Sequence, residues 1–377
     1  IVLIILAGIS ISLVIGNNGI MQKAAKGRED YTGATINEQQ DLNKIEDYIE
    51  DSANGIVLIE NVKGGSYFES PTTVKDTNGN LIKVPQGFKI AEDSGLNVTE
   101  GIVIEDNDII EGIGNGRGNQ YVWIPCTTDS SSSDLQYART EWGVEVDGDD
   151  NSRAIKDELT LTDASVTYSD ADTANGINAD VSKEIVAQIK AEKASVAQYG
   201  GYYIGRYEVG RNSDTAVVKY NQTPYASITW STAYGLAKKI ITNSEVNSYL
   251  CSSYAWDTAV NFIQNNSTAK NYATSIEGFN GNWNPQAVKD PSGNVIKPAG
   301  TSQQLNTGLT TQFCNIFDMG GNEAEFTTEL NPGTSETVVL RGGGYYDGSL
   351  RPAGRRWDNP SGDAGIIVGF RATLFLK

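Results

Sequence analysis

Histidine is absent from this chain of 377 residues, and its absence excludes several classes of function. A chain without histidine has no Ser-His-Asp or Cys-His catalytic arrangement, no HExxH zinc site and no histidine-ligated haem. General acid–base chemistry would have to use carboxylates, lysine, tyrosine or cysteine.

Cysteine is scarce, and no two of the three cysteines have CxxC spacing. We therefore expect neither a zinc knuckle nor a redox motif. Cys251 and Cys314 could pair in an exported protein, which would leave Cys126 over. The alternative is that all three are buried free thiols.

Positive charge is also scarce, with 29 Lys and Arg against 47 Asp and Glu and a formal net charge of −18. Nucleic-acid binding needs clustered basic residues to meet the phosphates, so we expect no nucleic-acid partner. The charge fits a soluble exported protein that recruits divalent cations.

One long apolar run, IVLIILAGISISLVI, occupies residues 1–15. No Lys, Arg or Met precedes it, so we expect a processed or trimmed chain rather than an intact signal peptide. As a helix it would span roughly 22 Å, short of the roughly 30 Å hydrocarbon core. It is then the tail of a longer membrane helix or a helix buried against copies of itself.

A polar segment with sparse apolar positions follows the sequence GNNG at 16–19. Leu42, Ile45, Tyr48 and Ile49 recur every three or four residues, which predicts an amphipathic helix over 37–51. Glycines at 27 and 33 should weaken any helix in the part of the chain before residue 37.

The stretch ILAGISISLVIGNNGIMQKA resembles the N-termini of type IV pilin-like filament proteins of Firmicutes. The resemblance implies a long N-terminal helix over 1–52, held in the membrane before assembly and in the filament core of a homopolymer afterwards. Ile5 departs from the family, which has a glutamate near the start of the mature chain. A simple membrane anchor is the alternative. The implied filament-core residues are Ile1, Val2, Leu3, Ile4, Ile5, Leu6, Ile9, Ile11, Leu13, Val14 and Ile15.

From Gly55 onward the apolar pattern has a period of two, interrupted by Gly, Asn, Asp and Pro turns. This predicts short strands, with a hairpin at the Asn-Gly signal in DTNGN. We expect a β-rich connecting region over 53–119 and a main domain over 120–377. Within the main domain, the polar segment 127–198 is interpreted as a surface insertion that ends in a helix over 183–197.

Five segments in the second half carry a further resemblance: IGRYEVG, ITWSTAYGLA, GGNEAEF, RGGGYY and VGFRATL. In this order they are similar to motifs of the formylglycine-generating enzyme and sulfatase-modifying-factor family, over roughly residues 120–377. The resemblance implies a C-type-lectin-like head, α+β, β-rich and loop-rich, with mixed antiparallel sheets and two helices.

The family's chemistry uses two copper-binding cysteines after the RGG motif, and this chain has none between Arg341 and Arg371. Asp347 and Pro352 stand where the pair is expected. We therefore expect no enzyme activity of the family type, and no copper, haem or nucleotide.

The family's calcium loop corresponds to GGNEAEF and the residues before it. The resemblance implies calcium held by the side chains of Asp318 and Glu325 and the carbonyls of Gly321 and Glu323. Hard oxygen ligands at close spacing suit this ion. The alternative is a turn whose carboxylates accept backbone N–H groups.

Segment 341–371 also resembles the variable region of retroelement-diversified ligand binders of C-type-lectin fold. Tyr, Trp and Arg suit recognition surfaces, and the basic cluster favours an acidic or carbohydrate-like ligand. The alternative is that the aromatic rings pack inward and the arginines pair with carboxylates. The implied binding face consists of Tyr345, Tyr346, Asp347, Leu350, Arg351, Arg355, Arg356, Trp357 and Asp358.

Together these features predict a structural subunit of an extracellular type IV pilus-like filament on the cell surface, inserted in the membrane before assembly. Its head would bind a ligand without catalysis. The alternatives are a purely structural subunit, a membrane-anchored lectin-like receptor and, least favoured, an oxidoreductase of the formylglycine-generating type.

Overall fold

The structure is a computed structural model that describes residues 20–142, 157–275, 281–290, 292–310, 312–347 and 351–377. The predicted filament-core residues in 1–15 and Leu350 of the predicted binding face lie outside the described residues. The chain divides into two compact units, 1–57 and 58–377.

The described part of the first unit is one helix, α1, from Ile20 to Ala53. It contains the amphipathic helix predicted over 37–51 and runs without a break through Gly27 and Gly33. A glycine in an exposed helix costs only about 1 kcal/mol relative to alanine, which weakens a long helix without ending it. No helix among the described residues is both long enough and apolar enough to cross a membrane.

The apolar stripe on α1 faces solvent. Leu42, Ile45, Tyr48 and Ile49 are all exposed, from 49% at Leu42 to 61% at Ile49. Apolar side chains at this spacing form one face of a helix, and such a face is normally buried against a partner.

The second unit contains the sheets. Its strands in chain order, the first of which begins in the first unit, are β1 (Ile56–Leu58), β2 (Thr72–Lys75), β3 (Leu81–Val84), β4 (Phe88–Ile90), β5 (Val103–Asp106), β6 (Gln120–Pro125), β7 (Gly201–Gly205), β8 (Gly210–Asn212), β9 (Thr215–Val217), β10 (Thr223–Pro224), β11 (Val246–Leu250), β12 (Val288–Lys289), β13 (Val295–Lys297), β14 (Gln312–Phe313), β15 (Ile316–Phe317), β16 (Ala324–Leu330), β17 (Val338–Arg341), β18 (Arg356–Asn359), β19 (Val368–Phe370) and β20 (Ala372–Leu376). Its helices are α2 (Ile59–Val62), α3 (Asp170–Ala174), α4 (Ala179–Tyr199), α5 (Trp230–Ala237) and α6 (Ser253–Asn266). Single 3₁₀ turns cover Val98–Glu100, Gly114–Gly116 and Glu158–Thr160.

A six-stranded antiparallel sheet forms the centre of this unit, in the order β11-β20-β7-β6-β5-β4. Its central strands β6 and β7 are buried along almost their whole length, which is why they contain continuous apolar runs rather than an alternating pattern. The unit is therefore α+β and β-rich.

A second sheet has four strands in the order β18-β17-β16-β19 and contains the candidate site residues Glu325, Arg356, Trp357 and Asp358. Strand β19 runs parallel to β16, and the other pairs are antiparallel. Helix α6 packs against β16, and α5 packs against β11 and β16. Both helices have a Ser or Thr N-cap whose side chain accepts a backbone N–H, as expected from their sequences.

The structure divides the chain differently from the sequence-based prediction. Strands β4 and β5, from the predicted connecting region 53–119, belong to the same sheet as β6 and β7. Val103 and Ile104 of β5 pair with β6 and are fully buried. No boundary therefore separates residues before 119 from those after 120.

The segment predicted as a surface insertion, 127–198, is partly in the core. Its helix α4 packs against β7 and β20, with Ile185 and Ile189 fully buried. The buried carboxylate of Glu192 accepts hydrogen bonds from Tyr137 at 2.6 Å and Ser252 at 2.7 Å. The segment can be polar and still lie partly in the core, because some of its contacts there are hydrogen bonds.

All three cysteines are free thiols, so the structure contains no Cys251–Cys314 disulfide. Cys126 and Cys251 are buried and Cys314 is partly exposed. Cys314 and Asn315 form the two-residue turn between β14 and β15, both with positive φ (49° and 63°), as a type I′ hairpin requires.

Candidate functional site

The acidic loop between β15 and β16 is shaped by three left-handed residues. Asp318, Gly321 and Asn322 have φ values of 55°, 93° and 64°, which turn the chain sharply into β16. The Asn322 amide donates to the carboxylate of Glu208 at 2.6 Å, and its oxygen accepts the N–H of Leu305 at 3.0 Å. A short polar side chain tolerates the left-handed conformation and fixes it by such bonds.

Glu325 forms a buried ion pair with Arg371. Arg371 donates to both oxygens of Glu325, at 2.7 and 3.1 Å, and both side chains are fully buried. The same guanidinium donates to the carbonyls of Gly205 and Phe317 at 2.9 and 2.8 Å. A planar guanidinium suits this arrangement, because it directs several donors at fixed angles.

Three more carboxylates lie buried around this pair. Glu208 accepts the backbone N–H of Glu323 at 2.9 Å, Glu323 accepts the amide of Gln304 at 2.5 Å, and Asp318 accepts the hydroxyl of Thr310. One oxygen of Asp318 and one of Glu323 have no protein hydrogen-bond partner within the described residues.

Burial raises the pKa of every carboxyl in this cluster, because water no longer stabilises the charge. It raises the pKa of Asp318 to about 6, of Glu325 to about 7 and of Glu323 to about 8. The pKa of Glu208 rises well above its ordinary value, through burial and then the nearby charges of Asp318 and Glu325. The cluster therefore retains protons near neutral pH.

One of the predicted calcium ligands is engaged by another side chain. The side chain of Glu325 is occupied by Arg371 on both oxygens. In the part of the chain that the structure describes, no three Asp, Glu, Cys or His side chains converge to hold a metal ion. The predicted ligands Asp318, Gly321, Glu323 and Glu325 are close along the chain. One oxygen of Asp318 accepts the hydroxyl of Thr310, and its other oxygen has no protein hydrogen-bond partner within the described residues.

The predicted binding face is divided by burial. Tyr345, Asp347 and Arg355 are buried, whereas Tyr346 is 52% exposed. The remaining described members, Arg351, Arg356, Trp357 and Asp358, are half-buried.

The outward part of this face is held in place by contacts among its own members. Arg351 pairs with Asp347 at 2.7 Å, and its guanidinium lies 5.2 Å from the centre of the Trp357 ring. Arg355 lies 4.2 Å from the same ring. The rings of Tyr345 and Tyr346 have centroids 4.8 Å apart. Both the contact area and the cations are therefore fixed before any ligand arrives.

Arg356 and Asp358 alternate with Trp357 on β18 and make inward contacts. Arg356 pairs with the buried Glu329, and Asp358 accepts the amide of Asn331. For Arg356 the structure agrees with the alternative given in the sequence analysis, in which the arginines of this segment pair with carboxylates. The outward face is thus reduced to Tyr346, Arg351 and Trp357.

A second buried network, which the sequence did not predict, includes Arg341 of β17. Arg341 pairs with Asp257 at 2.6 Å, and Arg139 pairs with Glu329 at 2.8 Å. Arg139 also lies 3.6 Å from Glu158, whose pKa burial raises to about 8. The sequence contains no local signal for this network, because its members come from segments far apart in the chain.

Comparison with known proteins gives only distant similarity. No family model matches the chain, and no curated protein matches it. Among solved structures, CarF is 14% identical with a TM-score of 0.33, over 47% of this chain and 87% of CarF. The Treponema denticola variable protein 1 is 14% identical with a TM-score of 0.32, over 47% and 85%. PvdO from Pseudomonas aeruginosa is 13% identical with a TM-score of 0.33, over 47% and 82%.

Proposed function

We propose that this chain is a subunit of an extracellular type IV pilus-like filament, polymerised through its N-terminal helix, with a non-catalytic head that binds an acidic or carbohydrate-like ligand. The observation that carries the proposal is the exposed apolar stripe on α1. Four apolar side chains on one helix face lie open to solvent, and packing against copies of the same helix would bury them.

The outward aromatic and basic residues of the head support the binding part of the proposal. Tyr346, Arg351 and Trp357 present rigid contact area and a cation, and such residues are enriched among those that dominate binding energy. Ligand contact there would need little reordering, because Asp347 and Arg355 already hold Arg351 and Trp357.

The state of the thiols supports a head that does not catalyse. Burial raises the pKa of Cys126 and of Cys251 well above the ordinary value of a thiol, so both stay protonated. Metal binding and nucleophilic attack need the thiolate. The sequence between Arg341 and Arg371 supplies no further cysteine.

Electron microscopy of the full chain with a charge placed on the stripe tests the filament proposal. We expect filaments from the unmodified chain and none from Ile45→Glu, because burying a carboxylate among packed helices is unfavourable. Asn43→Glu is the matched control, since it adds the same charge on another side of the same exposed helix. Filaments formed equally by both variants would contradict packing through the stripe. Single particles from the unmodified chain, soluble only in detergent, would favour a membrane-anchored lectin-like receptor.

A further inference from the structure

A groove lined mainly by residues with hydroxyl or amide side chains does not include the outward residues Tyr346, Arg351 and Trp357. Three segments form it: residues 167–175 around α3, the turn 333–335 between β16 and β17, and residues 360–362 after β18. Its volume of about 660 Å³ is in the range of small-molecule sites. It is lined by Thr167, Tyr168, Ser169, Ala171, Asp172, Asn175, Gly333, Thr334, Ser335, Pro360, Ser361 and Gly362.

Hydrogen bonds within these segments, between them and to neighbouring residues fix the walls of the groove. Asp172 accepts the hydroxyl of Thr337 at 2.6 Å and that of Ser169 at 2.8 Å. The amide of Asn175 donates to Ser361 at 3.3 Å. The phenol of Tyr168 is fixed by a hydrogen bond to Ser182 in α4. The walls are therefore formed before a ligand binds, which reduces the entropy cost of binding.

The chemistry of the walls selects the class of ligand. Most lining side chains carry a hydroxyl or an amide, and a hydroxyl both donates and accepts hydrogen bonds. No Lys or Arg is among the described residues that line the groove, and its single carboxylate, Asp172, disfavours anions. The ring of Tyr168 and Pro360 add apolar surface. A ligand that matches this lining is uncharged, rich in hydroxyls and partly apolar.

We propose that this groove binds a neutral oligosaccharide. The site is separate from the outward basic face, and it does not depend on whether the chain polymerises. A peptide is the less suited class, because the lining offers hydroxyl side chains from turns and a helix rather than an open strand edge along the groove.

Calorimetric titration of the full chain with three neutral hexasaccharides, of glucose, mannose and N-acetylglucosamine, tests the proposal. We expect at least one to bind, and hexagalacturonate, an acidic counterpart, not to bind at the groove. Ser335→Trp should fill the exposed rim and weaken binding at least about tenfold, a loss of about 1.4 kcal/mol. Thr167→Trp, at the exposed rim where residues 167–175 meet the turn at Gly333, should do the same.

Ser133→Trp is the matched control, since Ser133 is an exposed serine outside the groove. It should bind like the unmodified chain, and near-ultraviolet circular dichroism should show all three variants folded. Failure of all three neutral hexasaccharides to bind would overturn the proposal. Equal binding of the hexasaccharide by Ser335→Trp and Ser133→Trp would also overturn it. Displacement of the bound hexasaccharide by a short peptide, or by hexagalacturonate, would overturn it as well.

Discussion

Buried carboxylates without enough cations are the unusual feature of this protein at the scale of single residues. Glu208, Asp318 and Glu325 lie near one guanidinium, that of Arg371, and Glu323 lies beside Glu325 and Asp318. An ionised carboxylate in such a place costs several kcal/mol unless it is paired. Glu325 is paired on both oxygens, yet its pKa is raised like those of the other three, so all four carboxyls hold protons at a higher pH than usual.

These raised pKa values make folding stability depend on pH. As the pH rises above about 4, the unfolded chain loses its carboxyl protons first, because its groups titrate at ordinary values. The native cluster keeps protons until about pH 8, where Glu323 titrates. Over this window the native state binds more protons than the unfolded state, so the cluster's contribution to stability falls as the pH rises.

Replacing Glu323 with glutamine should remove part of this dependence. Glutamine resembles the protonated side chain and keeps an oxygen to accept the amide of Gln304. We expect Glu323→Gln and the unmodified chain to have similar free energies of unfolding near pH 4. Near pH 9 the variant should be more stable, by up to roughly 5 kcal/mol for a pKa raised from its ordinary value to about 8.

Chemical denaturation followed by tryptophan fluorescence at several pH values measures this difference. Glu111→Gln, at an exposed glutamate, is the control and should run parallel to the unmodified chain. A constant difference between Glu323→Gln and the unmodified chain at every pH would show that Glu323 does not hold a proton in the native state.

Which site residues the sequence could identify depends on whether their partners are local. The turn around Asp318 and Gly321 was found from its Gly-Gly spacing, and both residues adopt left-handed conformations there. The burial of Arg355 and the pairing of Glu325 with Arg371 depend on strands that meet only in the folded chain. The sequence could place these residues in motifs, but it could not assign their charges to partners.

At the scale of elements, two hairpin turns use the same local chemistry. The sequences VKDTNGNLIK and VKDPSGNVIK begin at Val74 and Val288. In both turns, an aspartate accepts the backbone N–H and the side-chain amide of the asparagine four residues later. The distances are 2.7 and 2.9 Å at Asp76, and 2.8 and 3.0 Å at Asp290. The repeated sequence therefore encodes a repeated turn.

The two aspartates differ in what lies beyond the turn. Asp76 is buried and also accepts the N–H of Val98, at 2.8 Å. We expect Asp76→Ala to lower the free energy of unfolding by about 2 kcal/mol, because buried donors lose their acceptor. Asp290→Ala should have a clearly smaller effect, since its contacts are exposed.

Thermal unfolding of the two alanine variants side by side checks this prediction. Asp76→Asn and Asp290→Asn, which keep an acceptor oxygen, should each recover part of the loss. Equal destabilisation by the two alanine variants would mean that the contact with Val98 contributes little and that the local turn accounts for the effect.

Elements with a strong local pattern were predicted well from the sequence. The hairpin predicted at DTNGN occurs there between β2 and β3, and the amphipathic helix predicted over 37–51 lies within α1. The sequence did not predict that α4 packs in the core. Its polar residues are typical of a surface helix, but its buried residues include Glu192. Polar residues satisfied by hydrogen bonds inside a core look like surface residues in a sequence.

At the scale of the whole molecule, the two units differ in where they place apolar side chains. The largest fully buried side chains lie in the second unit, among them Trp123, Trp230, Trp256 and Trp283. The described helix of the first unit exposes most of its large apolar side chains, such as Met21 and Ile36. The second unit therefore contains the core that a cooperative transition requires, whereas α1 does not form one by itself.

A chain that begins at Gly55 should fold as stably as the full chain and should not assemble. Removal of α1 takes away none of the buried tryptophans, so we expect the thermal midpoint to shift by no more than about 2 °C, which corresponds to roughly 1.4 kcal/mol for a domain of this size. Sedimentation velocity should show monomers under conditions in which the full chain forms polymers. A large drop in the midpoint would mean that the core of the second unit depends on the helix. Polymers formed by the shortened chain would instead move the assembly contact into the head. The excess of acidic over basic residues there would make the contact weaken as the salt concentration falls, because charge repulsion is then less screened.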